Sequence, residues 1–587
     1  MLHSKEKKTY YIGFNSSYHD SALAVVNDLG EIVFAEACER GLQYKRALNC
    51  EPDNLSAVPR WLDKYCPDAE HLVVTNNWRA SRPWYERIAS VTGLLGRDGV
   101  AHRGFKRLRS PLSTQQIHHM MACNRLSLKR AGLNLASIVG ARRPKCTVEF
   151  RDFDHHATHA ALACYGSGLN ESVCAVIDSY GENGSAAFFT CRNGRLTLIR
   201  EARGLGSLGL FYMKLTELCG FDWMQGEEWK VMGLAAYGQV DEAVLQEFRR
   251  LLRVDGLALV HPTDTTFSAL DRLEGYRRDK NQSPERSADL ACTGQFFFGE
   301  IMAQLLGNLH ERTGLERLCL AGGCALNSSF TGQITRSTPF REVYVPPAPA
   351  DDGTAVGAAW LAWTSDHGHQ APLHAPMSPY LGSELDEEGV TRLQRFGLGL
   401  QAHVERENLA GTVATLLAHG KLVAWVQGRA EFGPRALGNR SILADPRSPA
   451  TKDRINVRVK FREEFRPFAP SILHEHGHEY FENYQSTPYM ERALRFRPEA
   501  MARVPAVVHR DGTGRLQSVS AGSNPHFYRL LKAFQNLTGV PVLLNTSFNV
   551  MGKPMVHSVE DAVAVFMTSG LDALVIGDRL FIKPESA

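Results

Sequence analysis

The sequence lacks any long apolar run. Its 587 residues contain no stretch of about 18 consecutive apolar residues, the length that a membrane-spanning helix needs. The N-terminal segment, MLHSKEKK, has no apolar signal core. We therefore expect no membrane span and no secretion signal.

An excess of one charge is also missing. The 66 Lys and Arg residues nearly balance the 63 Asp and Glu residues, which leaves a net charge of +3. This balance argues against an extended nucleic-acid or acidic-membrane surface. Any anion site in this chain is expected to be a local pocket.

Paired cysteine motifs are absent as well. The 12 cysteines lie scattered between Cys38 and Cys324, without a CxxC pair. Scattered thiols in a large chain are typical of a reducing compartment, so we expect a cytoplasmic protein. With 44% hydrophobic and 22% charged residues, the composition is that of a globular chain with two large domains or three to four smaller ones.

Two similar strand–turn–strand units indicate an internal duplication. The first is YYIGFNSSYHDSALAVV, followed by a Gly turn and a third apolar run, and the second is VCAVIDSYGENGSAAFFT. Each has an apolar strand that ends in a polar turn and is followed by a returning strand, which predicts a β-meander in a duplicated α/β architecture. Between and after them we predict an arginine-rich stretch at Trp78–Pro111, a helix at Gln115–Arg130 and a loop-rich insertion at Asp264–Ala288.

The segment TSDHGHQAPLHAPMSP is polar and rich in His and Pro, which favours an interdomain linker over a metal site because its histidines are irregularly spaced. We predict an N-terminal domain over residues 1–365, a linker over 366–379 and a C-terminal domain over 380–587.

The segment DHHATHAA can form a metal site. On a helix, His155 and His159 lie one turn apart on the same face, and Asp178, at the end of the IDSYG strand, and Asp351, at the PPAPADDG turn, are candidates for the third and fourth ligands. Two imidazoles with carboxylates suit an Fe(II), Mn or Zn ion. The alternative is a helix N-terminus capped by Asp154 with exposed histidines.

Two glycine-containing segments can approach an anion. In LAGGCALNSS, Gly322 and Gly323 separate a strand from a helix start, so the backbone can lie close to a phosphate, although an ordinary strand-to-helix turn has the same pattern. In GRAEFGPRALGNRS and the segments after it, arginines and lysines alternate with Phe and Pro, which indicates partial burial. Because a buried guanidinium without an anion is costly, we favour an anion pocket over a solvated basic face.

The loop NSSYHD between two strands carries His19, which is suited to act as a general base near neutral pH. The alternative is a histidine that is bonded to Asp20 for a structural purpose only.

In combination, these motifs resemble the NodU/CmcH family of carbamoyltransferases. The matching segments span nearly the whole chain and include GFNSSYHDSAL, DHHATHAA, VIDSYGE, KVMGLAAYG, LAGGCALNSS, PPAPADDGTAVGAA, GRAEFGPRALGNRSILADPR and LLNTSFN. The resemblance implies an α/β fold, with an N-terminal ASKHA domain (actin/sugar-kinase-like, TsaD-like) and a C-terminal YrdC-like α/β domain.

The resemblance also implies a reaction. Carbamoyl phosphate and ATP, with Mg, would give carbamoyl-adenylate in the C-terminal domain. The intermediate would then be channelled to an N-terminal metal site, where the hydroxyl of a small-molecule acceptor is carbamoylated and AMP is released. We expect a one-carbon transferase of natural-product biosynthesis, such as antibiotic biosynthesis, without nucleic-acid or membrane partners; the oligomeric state, a homodimer included, stays open.

The family's site residues map onto this sequence position by position. The implied ligands of Fe(II) or another divalent metal are His155, His159, Asp178 and Asp351, and the implied general base is His19. The candidate nucleotide contacts of the N-terminal domain are Gly226, Lys230, Gly322, Gly323 and Asn327. The implied carbamoyl phosphate and ATP contacts of the C-terminal domain are Arg435, Arg440, Ser441, Lys460, Arg466, Arg515, Ser547 and Asn549.

Two segments depart from the family pattern. The usual GEGK run is extended here to GEEWK, and GLQYKRALNCEPDN differs from the commoner members, which suggests a different acceptor. Two alternative functions are a tRNA threonylcarbamoyl-modifying enzyme and a non-catalytic ATP-dependent actin-like partner. The near-neutral charge disfavours the first, and the second would need neither the histidine pair nor the arginine pocket.

Overall fold

The computed structural model describes residues 7–79, 126–204, 206–262, 265–368, 370–372, 374–385, 387–396, 402–404, 408–550 and 552–583. The chain forms two compact units. Unit 1 comprises Met1–Cys38, Arg46–Leu326 and Ile334–Met377, and unit 2 comprises Glu39–Lys45, Asn327–Gln333 and Ser378–Ala587. The predicted domain boundaries and linker stay a prediction.

Unit 1 contains two five-stranded sheets and a small hairpin. Its strands are β1 Thr9–Asn15, β2 Ala22–Val26, β3 Ile32–Ala37, β4 His71–Asn76, β5 Thr147–Asp152, β6 Glu171–Ile177, β7 Gly184–Arg192, β8 Arg195–Arg203, β9 Arg253–Asp255, β10 Ala258–Val260, β11 Arg317–Ala321 and β12 Glu342–Tyr344. Its described helices are Val58–Tyr65, Leu133–Arg142, His155–Ser167, Leu208–Leu218, Glu228–Leu234, Glu242–Leu251, Thr266–Glu274, Ala288–Thr313, Ile334–Ser337 and Thr354–Asp366.

The two large sheets have the same topology. The first has the order β3-β2-β1-β4-β5 and the second the order β8-β7-β6-β11-β12. In each, three antiparallel strands are followed by two strands parallel to the first. A helix then follows each sheet, His155–Ser167 after β5 and Thr354–Asp366 after β12. The predicted duplication and the predicted fold class are thereby confirmed.

The two helices that follow the sheets cross at very short range. Both are rich in Ala and Gly and almost fully buried. At Gly357, an added Cβ would lie 1.9 Å from the carbonyl oxygen of Thr158, so only glycine allows this approach. The crossing holds the start of each helix at the ends of β1 and β6, where the predicted site residues lie.

Unit 2 is built on a nine-stranded mixed sheet of order β14-β23-β22-β15-β17-β21-β18-β20-β19, with a separate β13-β16 pair. Its strands are β13 Tyr380–Glu384, β14 Ala402–Val404, β15 Val423–Val426, β16 Arg429–Glu431, β17 Arg440–Ala444, β18 Ala469–Leu473, β19 Arg492–Arg495, β20 Thr513–Val519, β21 Val542–Ser547, β22 Ala573–Ile576 and β23 Arg579–Ile582. Its described helices are Ser328–Thr331, Glu387–Phe396, Leu409–Ala418, Ala450–Ile455, Gly477–Tyr480, Pro498–Met501, Pro525–Thr538 and Val559–Thr568; the helix Cys38–Leu42 lies where the two units meet in sequence.

The core of unit 2 lies between the sheet and its helices. Trp425 and Leu443 of the central strands and Phe534 of helix Pro525–Thr538 belong to one apolar cluster. The strands β15, β17, β18 and β21 are buried on both faces, as in a covered sheet.

Some sequence expectations need correction or lie outside the described residues. The stretch 264–288, predicted to be loop-rich, contains the helix Thr266–Glu274. Arg278 in this stretch is buried and donates to the carbonyls of Cys219 (2.7 Å) and Gln282 (2.6 Å), so the segment is anchored. Most of Trp78–Pro111 and of the predicted helix Gln115–Arg130, and two positions of the predicted linker, lie outside the described residues. Within the described part of the chain, no helix combines the length and hydropathy needed to cross a bilayer.

The helix crossing makes a stability prediction. Gly357→Ala places a Cβ against the Thr158 carbonyl and should destabilise the protein by about 1–3 kcal/mol, the usual cost of overpacking. Gly140→Ala is the matched control, because Gly140 lies in helix Leu133–Arg142 with no atom within 4 Å of the added Cβ. It should stabilise by up to about 1 kcal/mol. Denaturant unfolding measures both, and equal effects of the same sign would contradict the crossing.

Candidate functional site

The histidine pair begins a buried helix. Asp154 is its N-cap, and the Asp154 carboxylate accepts from the amide of Ala157 at 3.1 Å. His155 and His159 are fully buried (0% exposed), which excludes the alternative of exposed histidines. His156 points away from the pair, and its ring packs against Gly181.

Asp178 is the first residue after β6, and its carboxylate is held by a backbone amide. Its Oδ1 accepts from the amide of Gly323 at 3.1 Å. Gly322, with φ +87°, lets the backbone pass close to β6, because an added Cβ would lie 2.3 Å from the Ile177 carbonyl oxygen. The Gly322-Gly323 pair, which we predicted to contact a nucleotide, thus orients Asp178. Oδ2 of Asp178 faces the two histidines.

Asp351 reaches the same point from just before the second crossing helix. Its Oδ2 accepts from the hydroxyl of Ser17 at 3.2 Å, and its Oδ1 faces the histidine pair. Asp351 and Asp178 are both buried. Each carboxylate therefore keeps one oxygen anchored and presents the other to the cluster.

The four facing atoms surround one small volume. His155 Nε2 lies 3.3 Å from Asp178 Oδ2 and 3.7 Å from Asp351 Oδ1, and His159 Nε2 lies 3.8 Å and 3.5 Å from the same atoms. Ligands that bind one metal ion at about 2.0–2.2 Å stand roughly 3–4 Å from one another. The described residues bring together this group, His155, His159, Asp178 and Asp351, within 4.8 Å.

The two carboxylates of the cluster favour a positive charge at its centre. Although burial opposes protonation, Asp351 and Asp178 raise the pKa of His155 to about 9. Burial likewise disfavours the charged form of Asp178, but the two histidines hold the pKa of this carboxyl well below its usual range. Asp351 follows the same pattern, since His155 and His159 outweigh burial and the neighbouring Asp178 and lower its pKa.

The residues fit a divalent metal. Neither ring nitrogen of the buried His159 has a hydrogen-bond partner among the described residues, which is costly unless a ligand is bound there. A set of two imidazole nitrogens and two carboxylate oxygens suits a first-row metal such as Fe(II), Mn or Zn. The assignment of the four residues as metal ligands stays a prediction that this arrangement supports.

His19 lies in the turn after β1, the counterpart of the turn that carries Asp178. Its Nδ1 is 2.8 Å from Asp20 Oδ2 and 3.8 Å from Asp351 Oδ2. Ser17 and Asn15 bind the backbone carbonyl of His19, at 2.9 Å and 3.2 Å, and hold the turn. The structure thus brings His19 beside the predicted metal ligands.

Two supporting residues were missed by the sequence reasoning. Asn77, directly after β4, donates to Asn15 Oδ1 (2.8 Å) and to the hydroxyl of Thr354 (2.9 Å), and so ties together the two sheets' turns. The Trp78 ring packs on the ring of His155 with centroids 4.8 Å apart. The signal that could have identified them is the polar pair that ends an apolar strand, HLVVTNNW.

The predicted nucleotide contacts of the N-terminal domain have different local surroundings. Lys230 pairs with Glu227 at 2.6 Å and lies over the Phe221 ring. Gly226, with φ +67°, closes the turn before helix Glu228–Leu234. Asn327 falls in unit 2, where it caps helix Ser328–Thr331. A nucleotide contact by Gly226, Lys230, Gly322, Gly323 and Asn327 stays a prediction.

Unit 2 contains a cluster of half-buried and buried cations. Their charges lower one another's pKa, which shows that they lie close together. Among the described residues, the carboxylate that pairs with this cluster is Glu463, 3.1 Å from Arg466. Nε of Arg515 is buried without a hydrogen-bond partner among the described residues. The members of this cationic cluster are Arg435, Lys460, Arg462, Arg466 and Arg515.

Burial dominates the electrostatics of the cationic cluster. It lowers the pKa of Arg515 to about 10, and burial together with Arg466 and Arg515 lowers that of Arg462 to about 9. The pKa of Lys460 falls well below its usual value, first through burial and then through Arg462 and Arg466. An anion bound here would offset this cost through charge-assisted hydrogen bonds to the guanidinium and ammonium groups.

Lys460 joins two predicted contacts. Its ammonium donates to Asn549 Oδ1 at 2.7 Å, to the Asn549 carbonyl at 3.0 Å and to the Ser547 hydroxyl at 3.3 Å. Ser547 lies at the end of β21, directly opposite Ser441 on β17. The structure therefore brings Lys460, Ser547 and Asn549 into contact and places Ser441 beside them.

Arg440 occupies a different kind of position. Its side chain is fully buried, and the guanidinium donates to the carbonyls of Gln427 (2.9 Å), Ser383 (3.0 Å) and Gly428 (3.1 Å). These bonds fix the backbone around β13, β15 and β17. The geometry gives Arg440 a structural role, and a direct ligand contact by Arg440 stays a prediction.

The loop that carries Arg435 is held by side chains that the sequence reasoning did not single out. Glu431 Oε1 accepts from the amides of Leu437 (2.7 Å), Asn439 (2.9 Å) and Arg440 (3.1 Å). Asn545 and Gln517 donate to the loop carbonyls of Ala436 (3.1 Å) and Leu437 (2.8 Å). A loop whose amides and carbonyls are bonded in this way presents Arg435 in one defined position.

Comparison with known proteins places the chain in a family. Residues 119–360 match the family model described as carbamoyltransferase N-terminus, and residues 414–583 match carbamoyltransferase C-terminus. The chain is 34% identical over 575 residues to nodulation protein NolNO of Sinorhizobium fredii, which covers 97% of this chain and 80% of that protein. The chain belongs to this carbamoyltransferase family, and it is a carbamoyltransferase.

Two further likenesses were found, one to a curated protein and one to a solved structure. Nodulation protein NolO of Bradyrhizobium diazoefficiens is 38% identical over 436 residues, covering 73% of this chain and 79% of that protein. Among solved structures, full-length HypF in its phosphate- and nucleotide-bound form is similar to 61% of this chain and 56% of that chain, with 12% identity and a TM-score of 0.35. A likeness at that level adds no argument about function.

The metal assignment makes a direct prediction. His155→Ala should reduce the metal content of the purified protein at least about tenfold, since loss even of an outer-shell partner typically weakens metal affinity 10- to 100-fold. His156→Ala is the matched control, because His156 is equally buried on the same helix but lies outside the ligand group. Elemental analysis measures both variants, and full metal occupancy in His155→Ala would refute the assignment.

Proposed function

We propose that the chain is an ATP-dependent O-carbamoyltransferase with one reaction step in each unit. In unit 2, carbamoyl phosphate, ATP and one water give carbamoyl-adenylate, phosphate and pyrophosphate. In unit 1, the hydroxyl of a small-molecule acceptor takes the carbamoyl group from the adenylate, and AMP leaves. The observation that carries the proposal is the cationic cluster of unit 2, whose members lie close enough to lower one another's pKa.

The cationic cluster suits the activation step. Carbamoyl phosphate and the triphosphate of ATP are small, densely charged anions, and a planar guanidinium fork binds such groups bidentately. Arg435 is presented by the rigid Glu431-bound loop, while Lys460 is held by Ser547 and Asn549. These residues would bind and orient the two anionic reactants.

The histidine–aspartate cluster suits the transfer step. A divalent cation bound by His155, His159, Asp178 and Asp351 would polarise the carbamoyl group and offset the charge of the leaving phosphate. His19 lies beside Asp351 and would accept the proton of the attacking hydroxyl. The acceptor oxygen then bonds to the carbamoyl carbon, the bond between that carbon and the phosphate oxygen breaks, and AMP leaves with the electron pair.

The two steps should separate by mutation. Arg515→Met removes a half-buried cation whose buried Nε has no hydrogen-bond partner among the described residues, and should lower pyrophosphate release from ATP and carbamoyl phosphate. A charge-assisted hydrogen bond of about 1.5–3 kcal/mol corresponds to roughly a 10- to 150-fold loss. The variant should still transfer the carbamoyl group from supplied carbamoyl-adenylate.

Arg495→Met is the control for this test, because Arg495 is exposed on the neighbouring strand β19. Its pyrophosphate release should equal that of the wild type. If a folded Arg515→Met chain lost transfer from supplied carbamoyl-adenylate as well, the two-site proposal would be wrong.

Substitution of His19, the proposed base, should affect the transfer step and not the activation step. His19→Asn should lower transfer by about 10²–10⁴-fold, the usual contribution of a general base, because the attacking hydroxyl then lacks its proton acceptor. Pyrophosphate release and metal content should stay at the wild-type level. Near-wild-type transfer with unchanged pH dependence would show that His19 only holds its loop.

A further inference from the structure

One arginine in the divergent segment after the first meander is bonded to the His19 turn. The Asp20 carboxylate accepts from Arg46 Nη2 (3.2 Å) and Nε (3.4 Å) and lies 2.8 Å from His19 Nδ1. Side chains of all three residues are largely shielded, with exposed fractions of 22% for His19, 25% for Asp20 and 18% for Arg46. The result is a continuous Arg–Asp–His line that ends beside the transfer site.

The backbone of both segments is shaped to make this line. The amide of Asp20 donates to the Arg46 carbonyl at 2.7 Å, and the amide of Asn49 donates to the Tyr18 carbonyl at 2.8 Å, so the two loops pair. Asp20 (φ +56°), Arg46 (φ +63°) and Asn49 (φ +56°) are in the left-handed region, which non-glycine residues rarely adopt. Such conformations persist where the surrounding structure enforces them, and they concentrate at functional sites.

Arg46 has a third set of contacts, on the turn Trp223–Gln225 that leads into the GEEWK segment. Its Nη1 donates to the carbonyls of Trp223 (3.2 Å) and Met224 (3.4 Å). Its aliphatic stem covers Gly226, where an added Cβ would lie 3.2 Å from Arg46 Cδ. These carbonyls therefore fix the Nη1 side of the guanidinium, and the edge with Nε and Nη2 faces Asp20.

The carboxylate of Asp20 and the guanidinium of Arg46 each stabilise the charged form of the other. Burial opposes ionisation of Asp20, but Arg46 and His19 hold the pKa of its carboxyl well below the usual range. Burial likewise works against the charge of Arg46, whereas Asp20 and Glu228 raise its pKa. An ionised Asp20 can accept a hydrogen bond from His19 Nδ1, which lies 2.8 Å from its Oδ2.

We propose that Arg46 is the positioning residue of the transfer step. It fixes the Asp20 carboxylate on His19 Nδ1, which leaves His19 Nε2 as the nitrogen that accepts the proton of the attacking hydroxyl. A buried carboxylate that holds an imidazole in one tautomer and orientation has this role in serine hydrolases. The inference rests on the proposed function of His19 and extends it to a residue of the divergent segment.

Single substitutions test the role in the transfer step. Arg46→Met should lower kcat of transfer by about 10- to 100-fold, with the KM of the acceptor changed by less than about threefold, because a mispositioned base affects the transition state and not substrate binding. Arg46→Lys, which keeps the charge, should recover part of the loss. Asp20→Asn should lower kcat by about 10²–10⁴-fold through the wrong tautomer, and serves if Arg46→Met does not fold.

Arg143→Met is the matched control. Arg143 is 19% exposed, pairs with Asp63 at 2.9 Å and also donates to two backbone carbonyls, those of Leu62 and Cys66. It lies in the same unit away from the His19 turn, so its substitution should leave transfer kinetics unchanged. Pyrophosphate release and metal content should stay at the wild-type level in Arg46→Met and Arg143→Met.

The double variant separates positioning from a purely structural role. If Arg46 acts through His19, Arg46→Met in the His19→Asn background should lower transfer by less than about twofold, because the two residues form one unit. Equal losses from Arg46→Met in both backgrounds would overturn this inference and leave the role of His19 intact. Wild-type transfer by His19→Asn alone would overturn the proposed base and this inference with it.

Discussion

The candidate site of unit 1 depends on one close contact, the crossing of helices His155–Ser167 and Thr354–Asp366. At Gly357 the backbones approach so closely that no Cβ fits against the Thr158 carbonyl. This contact brings the start of one helix, with His155, next to Asp351 in the Asp351–Gly353 turn that leads into the other helix. The duplicated sheets supply the remaining groups from equivalent turns, His19 after β1 and Asp178 after β6. A symmetric scaffold thus converges on one asymmetric cluster.

The candidate site of unit 2 is formed mainly by cations, unlike the histidine–aspartate cluster of unit 1. Several cations share one region in which burial and mutual repulsion lower their pKa values. Hydrogen bonds hold the backbone around these cations in place. The Glu431 carboxylate organises three loop amides, and the buried Arg440 fixes the strands beside them. Binding of an anionic reactant would relieve the repulsion, which links substrate affinity to the rigidity of this loop.

The sequence predicts the fold class and the residues that carry charge better than it predicts their supports. The duplicated meander and the HxxxH spacing are local patterns, so they could be read directly, and the structure brings all four predicted ligands together. The roles of Gly323 and Arg46 could not be read, because they depend on backbone conformation and on partners far along the chain. Gly323 holds Asp178, and Arg46 reaches Asp20 from a neighbouring loop, where both Arg46 and Asp20 have left-handed φ angles. Arg440, which resembles an anion ligand in sequence, is enclosed by carbonyl groups.

The most direct test of the central claim is a measurement of both steps in one chain that lacks the carboxylates of the metal cluster. An Asp178→Asn/Asp351→Asn protein should be assayed for pyrophosphate released from ATP in the presence of carbamoyl phosphate, and for carbamoylated acceptor by mass spectrometry. If activation and transfer take place at separate sites, this protein should release pyrophosphate at the wild-type rate and form no carbamoylated product. Loss of both products in a folded protein, or retention of the carbamoylated one, would contradict it.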